Sequence, residues 1–99
     1  MRLRPEQLAR IRAIVSELAG PQAQVRLFGS RLDDSARGGD LDLFVELSRP
    51  VDEPALLMAR IAGRVSRALD DRKVDVVLAA PNLAPLPIHE QARREGVLL

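Results

Sequence analysis

The run Asp40-Leu41-Asp42-Leu43-Phe44-Val45-Glu46-Leu47 alternates without a break. Leu41, Leu43, Val45 and Leu47 fall on one side, and Asp40, Asp42, Phe44 and Glu46 on the other, which is the period of a β-strand with one apolar face. Such a strand cannot stand alone. Its backbone needs neighbouring strands and its leucine face needs a covering layer.

The rest of the chain supplies both. From Pro5 to about Leu18 the apolar positions Leu8, Ile11, Val15 and Leu18 follow helical spacing, Pro5 suits a first-turn position, and Gly20-Pro21 ends the run. Val25 to Phe28 reads as a short strand leading into Gly29-Ser30, and the polar segment to Gly39 holds turn formers. Asp52 is placed to cap a second helix, with Pro54 in its first turn and Leu57, Ile61, Val65 and Leu69 recurring every fourth residue. Val74 to Leu78 is too short and too rich in valine for a helix and reads as a third strand. Pro81 to Pro87 is a connector, and Ile88 to Glu95 is a short terminal helix stopped by Gly96. The expected class is α+β: a small mixed β-sheet with helices packed on one face, forming one domain over residues 1–99.

Composition narrows the chemistry. A chain of 99 residues, 46% hydrophobic, buries one modest core. No apolar run approaches a membrane span or a secretory signal, so the expected location is cytoplasmic. Cysteine is absent and His89 is the sole histidine, so any metal must be held mainly by oxygen. The formal charge is +1, and Phe28 and Phe44 are the only aromatic residues apart from that histidine. Neither a strong field nor stacking platforms are available for a dedicated nucleic-acid module.

Asp40 and Asp42, two apart on a strand, leave the same face with α-carbons ~6.6 to 7 Å apart. Two carboxylates so close repel unless a cation lies between them, which suits magnesium or manganese. Asp75, between Val74 and Val76, is costly to bury unless paired or metal-bound. Each also has a plainer account: an ordinary solvated D-x-D surface, and a strand-edge carboxylate facing water or an arginine. The conjunction with Gly29-Ser30 favours a site, because glycine lets backbone approach a phosphate that exposed N–H groups and a hydroxyl can hold. Arg31 suits either a phosphate contact or solubility. His89 suits a surface or capping position, and Arg93 and Arg94 a solvated face.

A strand, Gly29-Ser30, a gap, Asp40-Leu41-Asp42-Leu43 and a later Val-Asp-Val strand together resemble the DNA polymerase β-like nucleotidyltransferase superfamily. More narrowly, they resemble its minimal nucleotidyltransferases. The likeness spans Val25 to Leu78 and extends to the first helix and the Arg-Glu-Gly-Val-Leu segment from Arg94 to Leu98. Gly39 departs from it, since many relatives carry serine there, whereas all three carboxylate positions are filled.

The resemblance implies that Asp40 and Asp42 hold the magnesium or manganese that escorts ATP, and that Asp42 and Asp75 serve the acceptor, with Asp75 activating its hydroxyl. It implies that Gly29, Ser30 and Arg31 hold phosphates. It also implies transfer of AMP onto a hydroxyl of a partner protein, as in antitoxins paired with an all-helical HEPN ribonuclease; an oligomer is compatible with this. Two alternatives stand beside it. One is a non-catalytic module that neutralises a partner by docking, using apolar positions such as Leu98 and Leu99. The other is an aminoglycoside-type, small-molecule nucleotidyltransferase.

Overall fold

The computed structural model describes residues 3–28 and 41–99. In chain order the elements are α1 (Pro5–Ala19), β1 (Gln24–Phe28), β2 (Leu41–Glu46), α2 (Pro54–Ala68), β3 (Val74–Ala79), α3 (Pro87–Glu95) and β4 (Val97–Leu98). The polar segment expected to turn after β1 lies outside the described residues, and Gly29, Ser30, Arg31 and Asp40 lie there with it. No described helix is long and apolar enough to cross a membrane.

Helix α1 starts at Pro5, where the missing N–H costs nothing, and the Arg4 N–H donates to Gln7 Oε1 at 2.7 Å. It stops at Gly20, whose φ of 100° suits only glycine. Helix α2 corrects one expectation. Pro54 takes its first position, so the capping position falls on Glu53 rather than Asp52, and no side chain closes that end. The chain before it is tied down by Asn82 instead, whose Oδ1 accepts from the Val51 N–H at 3.0 Å while its Nδ2 donates to the Val51 carbonyl at 2.7 Å.

The sheet is mixed, in the order β3-β2-β1-β4. Strand β2 runs antiparallel to β1 and parallel to β3, and β4 adds to β1 antiparallel through Arg26↔Leu98 and Leu27↔Val97. The main core lies on one face, where Leu41, Leu43 and Val45 of β2 meet Ile11, Ile14 and Val15 of α1 and Ile61 and Val65 of α2. Full burial of each such side chain is worth roughly 1.5–3 kcal/mol, so the leucine face of β2 is the fold's main anchor.

Helices α1 and α2 take the expected face; α3 lies on the other one. There Phe44, Ala79 and Ala92 form a second small cluster, with Phe28 and Val77 packed against it. Phe44, assigned by alternation to the charged side of β2, is therefore 0% exposed. A close approach locks this helix to the sheet: a Cβ on Gly96 would stand 2.5 Å from the Ala92 carbonyl oxygen and 3.3 Å from the Leu27 oxygen. That contact lets the chain leave α3 and pair with β1 at once.

His89 is not a surface residue. It is 4% exposed, its Nδ1 accepts from the Leu86 N–H at 3.3 Å, and its ring centroid lies 5.5 Å from that of Phe44. The capping role holds and the exposure does not, because Phe44 gives α3 a face to bury. Replacing His89 with Ala removes a cap and an aromatic contact together and is expected to cost about 2 kcal/mol. Urea denaturation reads this as a lower midpoint with an unchanged slope.

Candidate functional site

Parallel pairing of β2 with β3 sets Leu41 against Val74 and Asp42 against Asp75. Adjacent strands are ~4.8 Å apart, and in-register side chains on a parallel pair leave the same face. Leu41 and Leu43 bury themselves under α1 and α2, so Asp42 points the opposite way, on the face that carries Phe44 and Glu46. Asp75 stands beside it on the edge strand β3.

The start of β2 is fixed by the Leu41 N–H, which donates to the Lys73 carbonyl at 2.9 Å. On its other side Asp42 is opposite Phe28, the residue that precedes Gly29. Three chain segments thus converge on one end of the sheet: the exit of β1, the entry of β2 and the entry of β3. Asp42 is half-buried and Asp75 exposed. Exposure removes the burial penalty expected for Asp75; its register with Asp42 is what the sequence did not display.

Of the residues singled out in the sequence, Asp42 and Asp75 come together, and Gly29, Ser30, Arg31 and Asp40 lie outside the described residues. Among the described residues no group of three or more His, Asp or Glu side chains gathers at one point. The donor set is nonetheless suited to magnesium, which keeps several waters and uses one or two carboxylates together with substrate phosphates. Two carboxylates at neighbouring register positions repel, and a cation between them relieves this.

Glu46, farther along the same face, accepts from Arg26 Nη1 at 3.2 Å and from Arg93 Nε at 2.9 Å. The Arg93 guanidinium also lies 5.6 Å from the Phe44 ring centroid. Arg93 and Arg94 are both exposed, as expected of a solvated face, and Arg93 in addition joins β1, β2 and α3 through Glu46. The signal for Arg93 was its spacing from His89, one helical turn away on the same side of α3. A hollow of ≈ 360 Å³ lies at the far end of the sheet, lined by Leu47 and Ser48 on one side and Gly20 and Pro21 on the other. It is remote from both aspartates.

A protein-family model described as a nucleotidyltransferase domain matches residues 8–97, and the chain belongs to that family. Among the described residues a four-stranded mixed sheet and three helices place two acids at one sheet end. A chain of the crystal structure of the toxin–antitoxin MntA-HepT superposes with a TM-score of 0.64 at 21% identity, over 96% of this chain and 70% of that one. A toxin–antitoxin structure with AMP-PNP gives 0.65 at 21% identity, over 97% and 72%. At such identities the likeness is one of fold. No curated protein matches the chain significantly.

Proposed function

We propose that this chain is a metal-dependent nucleotidyltransferase that moves AMP from ATP onto a hydroxyl of a partner protein, acting in the cytoplasm as the antitoxin of a HEPN-type ribonuclease. The observation that carries the reading is the register of Asp42 with Asp75 on parallel strands at the sheet end where β1 leads into Gly29-Ser30. Family membership and a fold shared with toxin–antitoxin structures, one of them with AMP-PNP, support it.

In this reading Asp40 and Asp42 hold magnesium or manganese against the triphosphate, and Gly29, Ser30 and Arg31 hold its phosphates. A metal held there would supply neutralisation of the charge on the phosphate oxygens. Asp75 faces the acceptor. Its solvent-exposed carboxylate takes the proton of the incoming hydroxyl, directly or across the site it shares with Asp42. The acceptor oxygen forms a bond to the α-phosphorus, the α–β phosphoanhydride bond breaks, and pyrophosphate leaves with the electron pair.

Docking without catalysis has one observation in its favour: Val97 and Leu98, on the edge strand β4, are 51% and 52% exposed. The two accounts part under mutation. ATP labelled in its α-phosphate, magnesium and the candidate partner are expected to yield labelled partner with the parent chain and none with Asp75→Asn. Should Asp75→Asn neutralise the partner as well as the parent does, docking is the function and transfer is not.

A further inference from the structure

The outer face of the α1–α2 pair carries charge that the fold does not use. Arg60, Arg64 and Arg67 recur at helical spacing along α2, and Arg10 of α1 lines the same hollow as Arg64 and Arg67. A second hollow shares Arg64 and Arg67 and extends to Arg60, so hollows of ≈ 370 and ≈ 500 Å³ adjoin along those two arginines and are treated together as one groove. Arg64 pairs with Glu17 at 3.0 Å, whereas Arg10, Arg60 and Arg67 have no acidic partner among the described residues. Four cations therefore face one anion.

The floor of the groove is apolar and shallow: Ala13, Ala59 and Ala68, with Leu18 at one end. Gly63, inside helix α2, lines the second hollow, at a position where glycine costs about 1 kcal/mol relative to alanine. No packing demands it. A Cβ there would meet only Arg67 Nη1, at an ordinary 3.4 Å.

We propose that this groove docks an acidic amphipathic helix of a partner protein, its small apolar side chains on the alanine and glycine floor and its carboxylates on the arginine rims. Helix-in-groove recognition needs an apolar floor between such rims, and arginine is the cation favoured at protein interfaces because its planar fork takes a carboxylate through two hydrogen bonds. A nucleic-acid backbone would leave the apolar floor unused. The net charge of +1 gives it little long-range pull, and Phe44, fully buried on the opposite sheet face, cannot stack a base. Because α1 and α2 cover the sheet face opposite Asp42 and Asp75, the groove is independent of the transfer reading, and its test measures binding alone.

The probe is a synthetic helical peptide of the length of α2, 15 residues, with glutamates at i, i+4 positions and alanines between them. Added to the ¹⁵N-labelled full chain at low ionic strength, it is expected to shift amide signals of α1 and α2 and not those of β3. The double variant Arg60→Glu with Arg67→Glu should weaken binding at least tenfold. Gly63→Leu, which leaves every charge in place and fills the floor, should weaken it comparably, with melting temperatures of both variants close to the parent. Absence of shifts on α1 and α2 overturns the proposal. So does loss under charge reversal while Gly63→Leu binds like the parent, which would mark a diffuse charged surface, or a short RNA duplex binding the same arginines more tightly than the peptide.

Discussion

Asp42→Asn is expected to abolish nucleotidyl transfer while leaving the fold intact. The substitution keeps the shape of a half-buried side chain and removes the charge that stands in register with Asp75. If Asp42 holds the cation on both the donor and the acceptor side, several kcal/mol of charge stabilisation disappear, corresponding to a loss of at least ~10³-fold in rate. In chelator the variant, which keeps the shape of the side chain, should melt close to the parent. Millimolar magnesium should then raise the parent's melting temperature and leave the variant's unmoved, because a ligand stabilises only the state that binds it. A variant whose melting temperature still rises with magnesium as the parent's does would show that Asp42 is not the cation's ligand, whatever its activity.

That pairing of acids shows where sequence reasoning reaches and where it stops. The strand Leu41 to Glu46 declares itself by alternation, and α1 and α2 by stripes whose members Ile11, Val15, Ile61 and Val65 are buried. These are local periodicities, and each residue's neighbours in the chain are sufficient to set them. Which strand lies beside which is not local. Asp42 and Asp75 are separated by a whole helix in the chain and become neighbours only through parallel pairing of β2 with β3. The two-residue strand β4 carries too few residues for any period to register, and exists because β1 offers a free edge at Arg26 and Leu27. The ion pair of the exposed Arg93 is hidden for the same reason: Glu46, its partner, lies far back in the chain.

Phe44→Ala is the substitution expected to cost the most stability, about 3–5 kcal/mol. Alternation placed Phe44 with the acids, yet its ring is fully buried between the sheet and α3, beside His89 and beneath the guanidinium of Arg93. Truncation leaves a cavity, ends both ring contacts, and frees α3, the only helix on that face among the described residues. Since small domains hold a total of about 5–15 kcal/mol, this loss is a large share of the whole. It should also be uneven. The cluster of Phe44 with Ala79 and Ala92 is separate from the core formed by Leu41, Leu43 and Val45 with α1 and α2. Hydrogen exchange should accordingly show amides of α3 and β4 opening first, with those of β2 and β3 protected up to global unfolding. Phe44→Leu, which keeps bulk but loses the ring, should fall between parent and alanine variant. The acids themselves are held by the backbone ladder between β2 and β3 and by leucines on the opposite face, so magnesium should raise the melting temperature of Phe44→Ala by as much as that of the parent. If exchange in α3 is unchanged, or the magnesium effect vanishes with the ring, then α3 is not an independently anchored cover and the acid pair depends on it.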